Sequence, residues 1–373
     1  MKKLLASLLA VVLIFSIIDS EVRALELNGK SFILIECGTG RVLYEGNADE
    51  RLAPASVTKV MTMLLIMEAI ERGEITYDTI VTASERAKSM GGSTIFLDTN
   101  EQISVDDLLK GIAVASGNDA CVAIAEHLSG SVESFVDVMN NRAKELGMTN
   151  TNFVTCNGLD ADEHYSSARD IATMSRELLK HEDIFRYTTI WMDSLRGGKF
   201  QLANTNKLVR FYAGANGLKT GSTSKAKNCI SATAKRDGMQ LCAVVLGSDT
   251  SQKRFNAAST LLNYGFDNFA VKGMKKDEST GEVSVRKGLK EKVGAVLKDD
   301  CMMVVEKVNA NSIEKTVTLS ESVEAPIKKG DKLGEITIKT AAGATVVDIV
   351  AKEDVARIDF GKMYMRILKN WTV

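Results

Sequence analysis

Ser56 and Lys59 lie three residues apart, directly after Pro54-Ala55 and directly before an almost unbroken apolar run from Val60 to Ile70. A helix starting near Ser56 places both side chains on one face of its first turn. The hydroxyl then sits at the positive end of that helix, beside an amine able to take its proton. Two further strings carry matching chemistry. Ser116-Gly117-Asn118 offers a second hydroxyl and an amide; Lys219-Thr220-Gly221 offers a cation, a hydroxyl and a residue without a side chain. S-x-x-K recurs, at Ser222 and Ser224 among others, but no long apolar helix follows it there. S-G-N and K-T-G each occur once. In the order Ser56, Ser116, Lys219, the three strings read as a serine acyl-transfer site.

The elements that must hold these residues can be read in outline. Residues 57–72 form a helix that is hydrophobic on nearly every face, closed by Gly73 at the C′ position. Such a helix belongs in the centre of a domain, which fixes the Ser at its start. Residues 31–36 and 41–45 read as a hairpin around 37–40. A helix begins at Val105, with Ser104 and Asp107 in capping-box spacing, and stops just before Ser116. The next runs over 119–128, so 116–118 is a loop between two helices. Helices over 132–146 and 168–179 follow. Residues 228–234 and 241–247, around Asp237-Gly238, form the next hairpin, with Lys219-Thr220-Gly221 on an edge strand beside it. A helix over 252–264 closes the domain. Strands from both chain ends thus flank a helical middle, which implies one sheet with helices against it.

From about Met274 the pattern changes. Residues 282–285, 302–308, 315–319 and 335–340 show short β-like alternation with no cluster of chemical residues, so a small all-β stem domain is expected. In the last twenty residues, Phe360, Tyr364, Ile367, Leu368 and Trp371 group on one helix side, and Lys362, Arg366 and Lys369 on the other. That is a basic amphipathic helix suited to lie on a membrane surface, with packing on the β domain as the alternative. The expected order is a signal peptide over 1–24, a catalytic domain over 25–272, the β domain over 273–353 and the amphipathic helix over 354–373. Met1-Lys2-Lys3 followed by the apolar run Leu4 to Ile18 and the small-residue end at Ala24 carries the first assignment.

With 373 residues, 45% hydrophobic and 25% charged, the chain is an ordinary globular protein long enough for two domains. A net charge of −1, with no basic stripe, argues against nucleic acid as a partner. Six cysteines show neither C-x-x-C nor zinc spacing, and Cys229 and Cys242 stand unequally from their turn, against a disulfide. Cys121 reads as a buried core residue. His127, His164 and His181 form no ligand pattern, so no metal is expected, and no G-x-S-x-G elbow supports a Ser-His-Asp triad. His127 reads as a core histidine.

The three motifs resemble those of the penicillin-recognising serine enzymes. The text around them, over 53–62, 115–120, 157–159, 164–170, 204–206 and 217–221, resembles the low-molecular-mass D-alanyl-D-alanine carboxypeptidases. The resemblance covers roughly 27–270 and extends more loosely beyond. It implies an α/β (α+β) penicilloyl-serine transferase, or β-lactamase-like, domain with a second, smaller all-β domain and a C-terminal amphipathic helix. It implies no cofactor. The substrates are peptidoglycan stem peptides ending in D-Ala-D-Ala, β-lactams act as covalent inhibitors, and the enzyme works outside the cytoplasm at the membrane surface or secreted.

On that resemblance Ser56 is the nucleophile, Lys59 its base and Ser116 the proton relay to the leaving amine. Asn118 holds either the substrate amide or Lys59. Lys219 and Thr220 meet the terminal carboxylate together with Arg254, whose plain alternative is a solvated helix residue. Gly221 lets its strand approach the substrate, and the N–H groups of Ser56 and Ser222 hold the oxyanion. Thr205 is neutral where some relatives place an Arg. Three rivals share the motifs: a β-lactamase, whose E-x-x-L-N signature is missing; a non-enzymatic penicillin-binding sensor; and an inactive cell-wall scaffold.

Overall fold

The computed structural model describes residues 25–309, 313–340, 343–362 and 364. The expected signal peptide and half of the expected terminal amphipathic helix lie outside the described residues; of that helix, 354–359 is not helical, because Val355 and Arg357 bridge to Ile327 and Gly288, and Phe360 and Tyr364 are exposed. Among the described residues no helix is long and apolar enough to cross a membrane.

Alternating apolar residues build a five-stranded antiparallel sheet from both ends of the catalytic domain. Its strands are β1 (Ser31–Glu36), β2 (Val42–Gly46), β3 (Ala215–Thr223), β4 (Lys227–Arg236) and β5 (Met239–Ser248), in the order β2-β1-β5-β4-β3. β3, carrying Lys219-Thr220-Gly221, is an edge strand, as expected. Cys229 pairs with Gly221 and Cys242 with Thr233, so the two thiols are out of register. All six cysteines are free and buried.

Helix α1 (Lys59–Glu71) runs through the core with every residue from Lys59 to Met67 buried. It is preceded by a 3-10 turn, Ala55–Thr58, so Ser56 sits in that turn rather than in the α-helix proper. Arg72 caps it and Gly73, at φ +73°, turns the chain away. α2 (Val105–Lys110) is capped by Ser104 Oγ, which accepts from the Asp107 N–H at 3.1 Å. The helix then widens into a π-helical turn, Gly111–Ala115, and ends on Ser116 in the left-handed region, φ 64°. α3 (Asn118–Ser129), α4 (Val132–Glu145), α5 (Ala168–Leu178) and α6 (Ser251–Asn268) are the other longer helices, and Ser131, Ser167 and Thr250 cap the last three through their side-chain oxygens. His127 is exposed in the last turn of α3, not a core residue: the apolar face of this helix is made by Cys121, Val122, Ile124 and Ala125. Two short antiparallel strand pairs, Ile80–Thr82 with Gln102–Ser104 and Met192–Leu195 with Phe200–Ala203, carry too few residues to show a period.

β6 (Phe269–Met274) follows α6 and pairs with β9 (Cys301–Glu306). The expected boundary at 272/273 lies within β6. β7 (Ser279–Arg286), β8 (Lys292–Leu297), β10 (Glu314–Leu319), β11 (Ser322–Glu324), β12 (Lys332–Thr340) and β13 (Gly343–Ala351) form a six-stranded sheet in the order β10-β12-β13-β8-β7-β11. Val304 of β9 packs in one cluster with Phe266 and Phe269, and Lys307 Nζ donates to the Phe266 carbonyl at 2.7 Å. The small domain is thereby held to the catalytic one.

Candidate active site

Ser56, Lys59, Ser116, Asn118, Lys219 and Thr220 come from four separate elements: the 3-10 turn with α1, the π-turn exit, the start of α3, and β3. Lys59 is fully buried, and its Nζ has three oxygens around it: Ser56 Oγ at 2.9 Å, Asn118 Oδ1 at 2.7 Å and the Asn157 carbonyl at 2.7 Å. Asn118 Nδ2 donates to the Gly91 carbonyl at 2.7 Å, which fixes the amide so that its oxygen faces Lys59. Both ends of the Asn118 amide are therefore spent within the protein, which favours the Lys59 role over a direct grip on substrate.

This geometry decides what the amine can do. The Asn118 and Asn157 oxygens are pure acceptors. A neutral amine gives them its two protons and turns its lone pair toward the Ser56 hydroxyl. Burial holds Lys59 below the ordinary lysine range, opposed by the Cys121, Cys156 and Asp119 side chains. Lys219, also fully buried, is pushed further down, first by burial and then by the charge of Lys59. Its Nζ donates to the Thr220 carbonyl at 3.0 Å, and Thr220 Oγ1 donates to Thr205 Oγ1 at 2.8 Å.

Gly221 is explained by contact within the protein. A Cβ there would lie 2.8 Å from Ser56 N, 2.9 Å from Ala55 Cβ and 3.0 Å from the Pro54 carbonyl. The missing side chain lets β3 press against the Ser56 turn, in addition to any approach to substrate. The Ser56 N–H lies in a first turn, where no intrahelical acceptor exists, and Ser222, exposed on β3, lies one residue beyond this contact. Arg254 is not a solvated helix residue: it is 5% exposed. Its Nη1 donates to the carbonyls of Gly221 (2.9 Å) and Cys229 (3.2 Å), its Nη2 to Ser251 Oγ, and its Nε has no partner. The guanidinium braces β3 through the carbonyl of Gly221.

Backbone groups that residue types could not announce complete the site. The 154–159 loop delivers the Asn157 carbonyl, and Gly158, at φ +83°, packs so closely on the Ala55 carbonyl that a Cβ has no room. His164 stitches this loop to the nucleophile's turn. Its Nδ1 accepts from the N–H of Val154 (2.9 Å) and of Thr155 (3.3 Å), which leaves Nε2–H to donate to Thr58 Oγ1 at 2.9 Å. Burial lowers its pKa to about 4, so the ring is neutral. The 91–97 segment is held by Asp119, whose carboxylate accepts from the N–H groups of Ile95 and Leu97 at 3.0 Å. From the other side Arg196 donates to the carbonyls of Ile95 and Phe96 and pairs with Glu101. Among the described residues no group of His, Cys, Asp or Glu could hold a metal ion.

The D-alanyl-D-alanine carboxypeptidase family, peptidase S11, matches residues 18–250, and the C-terminal domain of penicillin-binding protein 5 matches 270–357. D-alanyl-D-alanine carboxypeptidase DacF of Bacillus subtilis (strain 168) is 42% identical over 386 residues, covering 100% of this chain and 99% of the relative. Penicillin-binding protein 5 of Haemophilus influenzae superposes with a TM-score of 0.76 at 31% identity, over 90% of this chain and 100% of that one. Penicillin-binding protein D2 of Listeria monocytogenes, in its ampicillin-bound form, gives 0.60 at 32% identity over 65% of this chain and 99% of its own. With Ser56, Lys59, Ser116 and Lys219 on the elements that meet around one buried amine, and with matches along both domains, the chain belongs to the D-alanyl-D-alanine carboxypeptidase family.

Proposed function

We propose that Ser56 is the nucleophile of a serine-type D-Ala-D-Ala carboxypeptidase that removes the terminal D-alanine from peptidoglycan stem pentapeptides. The observation that carries the assignment is the three-oxygen environment of buried Lys59: once the amine is neutral, Asn118 and Asn157 take its two protons and its lone pair is left for Ser56. Ser56 Oγ attacks the carbonyl carbon of the penultimate D-alanine and passes its proton to Lys59 Nζ. The oxyanion is held by the N–H groups of Ser56 and Ser222. The proton then moves through Ser116 Oγ to the departing amine, the C–N bond breaks, and D-alanine leaves. Water attacks the resulting ester, giving its proton to Lys59, and the shortened stem departs as Ser56 regains its proton. Lys219 and Thr220 face the terminal carboxylate, Arg254 braces their strand through the carbonyl of Gly221 rather than meeting that carboxylate itself, Asn118 keeps Lys59 in register, and Gly221 keeps β3 against the nucleophile.

A β-lactam presents the same carbonyl to Ser56 and leaves an ester with no departing amine, so it acts as a covalent inhibitor; the ampicillin-bound relative supports this reading. Val355 and Arg357 bridge to Ile327 and Gly288 of the small domain, so the expected helix over 354–373 does not include them; the amphipathic segment from Phe360 onward attaches the exported enzyme to the outer surface of the cell membrane.

The test is release of free D-alanine from a peptide ending in D-Ala-D-Ala by the chain from residue 25 onward and by its Ser56→Ala variant. Release by the parent alone carries the assignment. Labelling of Ser56 by a fluorescent penicillin without D-alanine release overturns the carboxypeptidase reading in favour of the sensor, and absence of both returns the scaffold.

A further inference from the structure

We infer, building on the carboxypeptidase reading, that Asp160 is a positioning residue of the oxyanion hole. Its carboxylate straps the turn between β3 and β4 to the 154–160 loop and thereby fixes the place of the Ser222 N–H. Thr223 Oγ1 donates to Asp160 Oδ1 at 2.7 Å and accepts from the Ala226 N–H at 3.0 Å. The Lys225 N–H donates to Asp160 Oδ2 at 3.4 Å. Both carboxylate oxygens are thus engaged by one short turn, whose Thr223 lies 63 residues along the chain from Asp160. The negative charge of the acceptor strengthens these bonds over neutral ones.

Ser222 stands where such anchorage matters. β3 is the edge of its sheet, so among the described residues no strand flanks Ser222 on the outer side. Arg254 holds the carbonyl of Gly221, directly before it, and Asp160 holds the hydroxyl of Thr223, directly after it. Ser222 is exposed between these two fixed points.

The strap also closes a ring of contacts around the nucleophile's turn. Gly158 packs on the Ala55 carbonyl from one side, and Gly221 lies against Ser56 N and the Pro54 carbonyl from the other. Asp160 and Thr223 each lie two residues beyond those glycines, where the two segments meet again. The loop side of the ring is stiffened from within. Thr155 Oγ1 accepts from the Gly158 N–H at 3.1 Å, and Asn157 Oδ1 accepts from the Leu159 N–H at 3.1 Å. The same loop gives the Asn157 carbonyl to Lys59. One loop therefore sets the base at residue 157 and, three residues later, the oxyanion donor.

Stopped-flow acylation by a fluorescent penicillin tests the strap on the full chain from residue 25, with each rate normalised to the fraction labelled at saturation. Asp160→Ala and Thr223→Val are each expected to lower the acylation rate constant about tenfold. That is less than the roughly 100-fold or more that follows outright loss of an oxyanion donor. The dissociation constant of the initial complex stays unchanged, because the donor acts on charge that develops only in the transition state. Thr223→Ser keeps the hydroxyl and the parent rate. The double variant is no slower than either single one, the mark of one shared interaction. Affinity for a peptide boronic acid, whose tetrahedral adduct on Ser56 places an oxygen in the oxyanion position, falls with the rate. The parent rate in Asp160→Ala, losses that multiply in the double variant, or Thr223→Ser as slow as Thr223→Val overturn the strap. So do a change confined to the dissociation constant and an unchanged boronic-acid affinity. D-alanine release judges the carboxypeptidase reading separately: a parent that penicillin acylates but that frees no D-alanine overturns that reading alone. A parent that penicillin does not acylate overturns both.

Discussion

Lys59 has two fixed acceptors and one hydroxyl around it, so its protonation state decides whether Ser56 is activated. Asn118 matters through its lack of charge: it holds the amine while stabilising the ammonium far less than a carboxylate would. Asn118→Asp adds an opposite charge at 2.7 Å from Nζ and removes the donor to the Gly91 carbonyl. An adjacent carboxylate favours the protonated amine. The pH–rate profile of acylation by a fluorescent penicillin is expected to move to higher pH, with a loss of about tenfold or more at neutrality; an unmoved profile would count against Lys59 as base. Of the residues named from motif spacing, Ser56, Lys59 and Asn118 are joined here by side-chain hydrogen bonds. The carbonyls of Gly91 and Asn157 were not legible, because every residue carries one and only the fold aims it. Arg254 was legible as a candidate, but its burial against the carbonyl of Gly221 was not, since an Arg near the start of a helix ordinarily reads as solvated.

The elements hold these residues by close backbone approach. Gly221→Ala sets a Cβ against main-chain atoms of the Ser56 turn, which have little freedom to yield. β3 must shift away from the nucleophile, and misplacement of about 1 Å is enough for a loss on the order of 100-fold in acylation. Stopped-flow acylation rates alongside a thermal melt separate this from unfolding: a slow but stably folded variant is the expected result. His164 acts between elements. Its folded pKa of about 4 lies below the ordinary 6.5, so the folded protein refuses a proton that the unfolded chain accepts. Its contribution is complete above pH 6.5 and is lost progressively as pH falls toward 4, by about 3 kcal/mol. Urea titrations at pH 7 and pH 4 are expected to show His164→Gln losing less stability over that interval than the parent by a comparable amount. The α1 core helix, the capped α2 and the long strands were legible from apolar periodicity and capping residues. The π-helical turn was not, because residues 111–115 continue an apolar pattern that an α-helix satisfies equally well. It is this turn that delivers Ser116 in a left-handed conformation at the end of the helix.

Among the described residues the two large sheets are joined through the β6–β9 ladder, and the candidate site lies on the first. The change of pattern near Met274 showed that a second domain follows. The pairing of β6 with β9 was hidden, because 26 residues or more of intervening chain separate the partners (Met274 with Cys301, for example) and no local signal links them. If the terminal segment is the membrane attachment, the chain over 25–373 should co-sediment with phospholipid vesicles while the chain over 25–359, which keeps the Val355 and Arg357 bridges, stays in the supernatant, with equal penicillin labelling. Sedimentation of both would move the attachment elsewhere. The six free cysteines carry a further meaning. Burial raises the pKa of each, to about 11 for Cys121, Cys229 and Cys242. The reactive thiolate is therefore scarce at neutral pH and sealed from reagents. The folded chain is then its own stopwatch: a thiol is alkylated only when its surroundings open. Cys121 and Cys156 report opening beneath Lys59, and Cys301 reports the small domain. Mass spectrometry of time-quenched alkylation is expected to find Cys301 labelled first, and simultaneous labelling of all six would mean that the two domains open as one.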